Sequence, residues 1–393
     1  MNMLDGMDVM VISYTAPAIA KDWKIPPTAL GLVFSVGLLG MAVGAMFLAA
    51  QADRIGRRRM ILISAGLMGG CVLATVYASS VPELVLARFV SGLGIGSMLA
   101  TTATLAAEYA PARTKDFWVS FVMSGYPVGA VLSGMVAARV IPEYGWQAMF
   151  ATAGVATLVT LPVIYFFLGE SPPNPPRGGV AAASPERLLA EKRAKATPPL
   201  GGVGGLLVAV PVATTLLLWT VLFLSFATLY FLTMWIPKLA ANAGLPLNLA
   251  IYAGTVFNLG AFFGIITQGY LSARLGLQRV ICGFLVATAL LMVGFGFVTG
   301  SSLVLVLFGL IGFGVQGGFV GMYSLAAKLY PTRIRATGVG WAVGAGRIGA
   351  VVGPMVGGLL ISAGWSMPAA FIAFAVPALA AGVITVLINV KGE

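Results

Sequence analysis

The 393-residue sequence predicts an all-α membrane protein of twelve transmembrane helices, arranged as two parallel six-helix repeats. Three observations carry this. Hydrophobic residues make up 59% of the chain and charged residues 9%, with a mean hydropathy of +0.98, far outside the range of soluble globular chains. Apolar runs of about twenty residues, the length a helix needs to cross a bilayer, recur from end to end. One constant offset of 220 residues carries motifs of the first half onto the second.

The runs fall at about 3–20, 28–51, 60–79, 83–107, 115–139, 148–168, 213–236, 248–273, 280–299, 302–327, 336–361 and 368–388. Inside a bilayer each backbone polar group must be satisfied within its own helix. The runs are continuous rather than alternating, which excludes a transmembrane β-barrel. The 51 glycines, a liability in soluble helices, suit close helix approach in a membrane bundle. Cys71 and Cys282 lie inside apolar runs and imply no disulfide framework. The first run holds Asp5 and Asp8 and lacks a small-residue cleavage site, so it is not a cleavable signal peptide.

The net charge is +11, and its distribution follows topology. Of 23 Lys and Arg, 17 fall in loops on one side of the twelve-helix arrangement, among them Arg54, Arg57, Arg58, Arg59, Arg113, Arg333 and Arg335. The opposite loops hold Lys21, Lys24, Arg139 and Lys238, and Arg88 and Arg347 lie within helices. Positive charge stays in the cytoplasm, so both termini are expected there. The basic balance therefore needs no nucleic acid.

Residues 170–212 form a Pro- and Gly-rich cytoplasmic linker around one short polar helix, with Ser184 as its N-cap, Pro185 as its first residue and Pro198 past its end. It separates an N-terminal six-helix half (1–169) from a C-terminal one (213–393). The 220-residue offset places Pro111, Arg113 and Lys115 on Pro331, Arg333 and Arg335. It also places Arg54, Gly56 and Arg59 on Arg274, Gly276 and Arg279, and Gly92 and Gly94 on Gly312 and Gly314. Six is even, so the halves insert the same way up, about an axis normal to the membrane.

The motifs carry a resemblance. "ADRIGRRR" (52–59) resembles the loop signature of the major facilitator superfamily, "RFVSGLGIG" (88–96) its helix-4 motif, and "GAVVGPMVGG" (349–358) its Gly-Pro motif. Within that superfamily, "LDGMD" (4–8) with "LYPTRIRATGVGWAVGAGRIGAVVGP" (329–354) is similar to the aromatic acid:proton symporter family. The resemblance implies the major facilitator fold in a bacterial cytoplasmic membrane. It implies alternating access, and import of a benzoate-type acid such as 4-hydroxybenzoate or protocatechuate together with protons. It also implies transport roles for Asp5, Asp8, Asp53, Arg88, Glu108, Arg335 and Arg347. Three positions depart from the family pattern. Ala49 stands where the loop signature has Gly, Ala273 replaces its Asp in the second half, and the segment ahead of "LDGMD" is short.

The residues support a reading of their own. At about 1.5 Å per residue, Asp8 lies roughly 18 Å from the end of the first helix near Ala20, close to mid-membrane, and Asp5 lies roughly 22 Å from it. A carboxylate there faces the bundle interior and finds a partner, or takes up a proton. The chain has no histidine, and Arg does not release its proton. If transport is proton-coupled, Asp5 and Asp8 are the carriers left within the helices. The plainer alternative is that Asp5 only caps the helix at the surface, and preference for Asp5 over Asp8 rests on the resemblance alone.

Arg347, also near mid-membrane, either pairs with a carboxylate of the first helix or receives a substrate carboxylate in a bidentate contact. Arg88 either takes a functional role or extends to the interface. Asp53 amid Arg54, Arg57, Arg58 and Arg59 reads as a positive-inside anchor, or as a gate latch meeting Arg113 or a helix N-terminus. Glu108 and Lys328 occupy equivalent repeat positions with opposite charge, and with Arg333 and Arg335 they fall in the same gate network.

An aromatic acid needs apolar walls and a few polar groups. Tyr14, Tyr126, Phe231, Trp235, Tyr323, Trp341, Asn258 and Gln316 are available, with Tyr323 and Gln316 sharing one helix face. Expected partners are a small aromatic carboxylate, protons and the bilayer, with the monomer as the working unit. No nucleophile–base pair, metal cluster or phosphate loop is visible, so no enzyme activity, metal or cofactor is expected. A proton-coupled drug-type exporter and a symporter of another organic acid are the alternatives. A sensor built on a transporter scaffold would need a larger appended domain than residues 170–212.

Overall fold

The computed structural model describes residues 1–109, 111, 121–122, 124–169, 210–295, 301–331 and 335–388, apart from the side chains of 53, 54, 107, 108, 301, 302 and 335–337. The polar linker helix expected around Ser184 lies outside these residues.

Among the described residues the long elements are α1 (Asn2–Asp22), α2 (Pro27–Val43), α3 (Arg57–Ala74), α4 (Val81–Tyr109), α5 (Gly125–Phe167), α6 (Val212–Asn242), α7 (Leu247–Leu275), α8 (Leu277–Gly294), α9 (Ser301–Leu329), α10 (Arg335–Ser362) and α11 (Met367–Leu387). A π-helical turn, a 3₁₀ turn and the short helix Ala52–Ile55 continue α2 towards Gly56. Among the described residues ten helices are long and apolar enough to cross a membrane. The chain is thus an all-helical, multi-pass membrane protein. The sequence expectation of separate helices at 115–139 and 148–168 is met by the single element α5, which is broken at Gly145 by a non-helical φ of 83°. Boundaries elsewhere shift by a few residues.

The backbone turn before α3 recurs before α8. Gly56 has φ 97° and ψ 143°, and Gly276 has φ 89° and ψ 140°. Both φ values lie where only glycine sits without strain. Helix pairings recur as well. Helix α1 packs on α5 as α6 packs on α10, and α2 on α4 as α7 on α9. Helix α3 contacts α4 and α5, as α8 contacts α9 and α11. Further pairs join the first group of helices to the second, chiefly α2 with α10, α5 with α7, and α1 with α6, and more lightly α1 with α7.

These joining contacts are tight on the face away from Met1. Ser13 Oγ donates to the carbonyls of Thr233 (2.8 Å) and Met234 (3.0 Å), and Ser35 Oγ to that of Val351 (2.6 Å). Trp235, fully buried, donates from Nε1 to the Pro354 carbonyl at 2.9 Å and sits edge-on to Phe34 at 5.2 Å. A Cβ at Gly31 would lie 3.0 Å from the Pro354 carbonyl oxygen, and one at Gly358 would lie 2.8 Å from that of Pro27. At the other end a cavity of about 720 Å³ opens among Met3, Leu105, Tyr109, Phe121, Phe167 and Phe262.

The glycine seam yields a first prediction. Gly31→Leu overpacks it, at a cost of about 1–3 kcal/mol to this closed arrangement. A cysteine placed at the buried seam residue Thr233, with Cys71 and Cys282 replaced, should then react several-fold faster with a membrane-impermeant thiol reagent. An unchanged labelling rate contradicts the role given to the seam.

Candidate functional site

Asp5 and Asp8 lie on α1 with both side chains fully buried. None of their four carboxylate oxygens has a hydrogen-bond partner among the described residues. The helix itself is well anchored. Gly6 lies against the Tyr126 backbone of α5, and the Tyr14 hydroxyl donates to the Ala130 carbonyl at 2.9 Å. Asp8 is paired in space with Arg88 of α4, whose Nη1 lies 3.4 Å from the Asp8 carbonyl oxygen. Nε and Nη2 of Arg88 are buried without partners, and its guanidinium lies 5.4 Å over the Phe150 ring. Arg88 is 3% exposed, so of the two alternatives extension to the membrane interface does not hold. Its attraction to the α1 carboxylate and its seat on an aromatic ring hold it inside. A cavity of about 20 Å³ lies between Asp8 and Arg88, bordered by Phe34, Ser91 and Met234. That is room for one water.

The second constellation centres on Arg347 of α10. Its Nη1 is buried and without a hydrogen-bond partner, so no hydrogen bond joins it to an α1 carboxylate in this conformation. The guanidinium lies 5.9 Å over Phe226 of α6. Phe226 stacks on Tyr230 at 6.0 Å and meets Phe319 of α9 edge-on at 4.7 Å. Phe319 in turn meets Tyr323 edge-on at 5.4 Å. These rings sit at i and i+4 on α6 and again on α9, the spacing that puts two side chains on one helix face.

Tyr126 of α5 lies within electrostatic range of Asp5, Tyr14, Tyr230 and Arg347, and Tyr323 lies within range of Arg347 and Tyr230. Tyr126 of α5 thus lies within electrostatic range of both an α1 carboxylate and the α10 guanidinium. Sequence reasoning missed Phe226, Tyr230 and Phe319. The i, i+4 aromatic pairs were the available signal.

Other expected residues take varied places. Asn258 is buried on α7, donating from Nδ2 to the Gly254 carbonyl at 2.8 Å and lying 3.8 Å from Met10 of α1. Gln316 is half-buried on α9, with its Oε1 buried and without a partner. Trp341 is 46% exposed and stacked on Trp219 at 6.2 Å, on the seam of α6 and α10. Phe231 and Trp235 are fully buried packing residues, Phe231 stacking on Phe374 at 3.7 Å.

Of the expected gate residues, Arg57 is half-buried at the start of α3. Its neighbour Arg58 donates to the Tyr165 carbonyl and lies 4.7 Å over that ring. The side chains of Asp53, Glu108, Arg113, Arg333 and Arg335 lie outside the described residues.

A multi-pass helical bundle with a cation, carboxylates and tyrosines gathered between two groups of helices is the architecture of a membrane transporter. The family profile of the Major Facilitator Superfamily matches residues 1–268 and 244–391. The chain belongs to that superfamily and is a transporter rather than an enzyme.

Among its relatives is the 4-hydroxybenzoate transporter PcaK of Acinetobacter baylyi, 33% identical, with 97% of this chain and 87% of that protein covered. The gallate transporter of Pseudomonas putida is 31% identical over 98% of this chain and 89% of its own length. The benzoate transport protein of Acinetobacter baylyi is 27% identical over 98% and 87%. Among solved structures, the D-xylose-proton symporter shares the fold with a TM-score of 0.77 at 18% identity, covering 100% of this chain and 97% of that one.

Proposed function

We propose that this chain imports a small aromatic carboxylate of the 4-hydroxybenzoate type together with protons, by alternating access. It acts in the bacterial cytoplasmic membrane, with both termini cytoplasmic and the monomer as the working unit. The observation that carries this reading is Arg347, a guanidinium whose buried Nη1 has no partner among the described residues, in an aromatic nest within electrostatic range of Tyr126. An arginine fork matches a carboxylate, and rings at its flanks match the rest of a benzoate. A cationic drug meets repulsion at the same place, which disfavours the exporter reading. The relatives' names agree with an aromatic acid as cargo.

Twelve spans follow if α1, long enough but interrupted by two aspartates, crosses once and α5 crosses twice around Gly145. The recurrent helix pairs and the matching Gly56 and Gly276 turns support two six-helix halves, 1–169 and 213–393, joined by 170–212. With the seam at Gly31 and Gly358 closed and the 720 Å³ cavity open, the arrangement corresponds to a cytoplasm-facing state. Rocking about the seam would expose Arg347 to the other side.

Asp5 and Asp8 carry the coupling proton. Asp8, beside Arg88 and a water-sized cavity, exchanges it through that water. Asp5, within electrostatic range of Tyr126, links protonation to the substrate charge through that tyrosine. Asp53, Arg57, Glu108, Arg113, Arg333 and Arg335 form the cytoplasmic gate, and Gln316, Tyr323 and Asn258 orient the ring.

The test is uptake of labelled 4-hydroxybenzoate into proteoliposomes under an inward proton gradient, with unlabelled benzoate, gallate, nicotinate and a cationic dye as competitors. The aromatic acids should compete and the dye should not. Absence of uptake for every aromatic acid overturns the substrate class. In the same assay Tyr323→Phe should raise KM about fivefold, the weight of one lost hydrogen bond of about 1 kcal/mol. Trp341→Phe, on a half-exposed ring stacked on Trp219 rather than on the rings of the nest, should leave KM within about twofold, as surface changes usually do.

A further inference from the structure

We propose that the outer groove between α7, α8 and α9 binds one anionic phospholipid. The groove has a volume of about 380 Å³ and is lined by Leu275, Gly283, Ala287, Leu291 and Leu310, with Arg279 at its rim. It faces outward, since Leu275 is 57% and Leu310 45% exposed. From Arg279 to Leu291 along α8 it runs twelve residues, roughly 18 Å at 1.5 Å per residue. One leaflet of a hydrocarbon core about 30 Å thick is of similar depth. An acyl chain lying in this groove therefore ends with its headgroup beside the arginine.

Among the described residues the three helices that form the groove offer that charge no carboxylate of their own. No Asp or Glu occurs between Glu191 and Glu393, so α7, α8 and α9 carry no carboxylate at all. Arg279 stands in the first turn of α8, where the helix dipole favours an anion rather than a cation. Arg274, in the last turn of α7, is held with its guanidinium 4.4 Å over the Tyr270 ring. Exposed Arg279 and the N-terminus of α8 thus stand together at the level where a lipid phosphate lies, with exposed Arg274 three residues ahead of that helix. Basic pockets between transmembrane helices suit anionic headgroups for this reason. The site is separate from Arg347 and independent of what the protein carries.

The test uses the full chain, purified in detergent and given equal amounts of phosphatidylglycerol and phosphatidylcholine, with adducts counted by native mass spectrometry. The wild type should retain one phosphatidylglycerol with a preference of about fivefold, the weight of one arginine near a headgroup. Arg279→Gln should bring that preference close to one. Gly283→Leu, whose Cβ meets nothing within 4 Å and so fits the fold, should fill the groove and reduce retention of both lipids. Arg139→Gln, on a different exposed surface, should change neither. Equal retention of the two lipids by the wild type, or a preference that survives both Arg279→Gln and Gly283→Leu, overturns the site.

Discussion

Arg347→Ala should lower kcat/KM for 4-hydroxybenzoate uptake by about a hundredfold or more, since each hydrogen bond to a charged group contributes about 1.5–3 kcal/mol and a fork makes two. The observation behind this is a guanidinium kept among Phe226, Phe319, Tyr230 and Tyr323, with a buried N–H that the protein leaves unpartnered. Arg347→Lys separates charge from shape. It restores the positive charge and loses the planar fork, so uptake should recover only in part, to about a tenth of wild type. Full recovery with lysine would mean that Arg347 acts as a point charge only. Unchanged uptake in Arg347→Ala would remove the substrate site from this place.

Asp8→Asn should abolish accumulation against a concentration gradient while leaving exchange of labelled for unlabelled substrate across the membrane. The amide keeps the side chain's volume and cannot carry a proton. Asp8 has both carboxylate oxygens buried and unpartnered beside Arg88 and a cavity of about 20 Å³, so its proton has a water-sized route and its charge has a neighbour. Asp5→Asn should also uncouple, with an added loss of affinity because Asp5 lies within electrostatic range of Tyr126, which also lies within range of Arg347. A wild-type accumulation ratio in both variants would make the two aspartates structural. Loss of exchange as well as accumulation in Asp8→Asn would assign Asp8 to binding or to the conformational change itself.

Both tests rest on residues that are legible in the amino-acid sequence. Asp5, Asp8 and Arg347 stand out because ionisable groups inside apolar helices are rare and costly. With no histidine in the chain and no carboxylate between Glu191 and Glu393, the choice of proton carrier is narrow. Helix existence is equally legible, since apolar runs of membrane length leave few alternatives. Helix rotation is not. In a nearly uniform apolar helix no polar face tells which side meets lipid and which meets protein, unlike the amphipathic helices of soluble domains.

Arg88 therefore turns inward to Asp8 where the interface was an open alternative, and Trp341 is half-exposed. Tyr230 was passed over for its neighbours Phe231 and Trp235, which serve packing and the seam. Gly145 does not stand out as a break because glycine is frequent throughout, so two expected spans emerge as one bent element. The seam glycines Gly31 and Gly358 also belong to this class, because only the opposing backbone gives them meaning.

Proton coupling requires that substrate and proton cross together. The direct measurement is external pH in lightly buffered proteoliposomes, with no imposed gradient, after 4-hydroxybenzoate is added outside. The expected result is a substrate-dependent alkalinisation of the medium that is present in wild type and absent in Asp8→Asn. Uptake of the acid by the wild type with no change in external pH would contradict the claim.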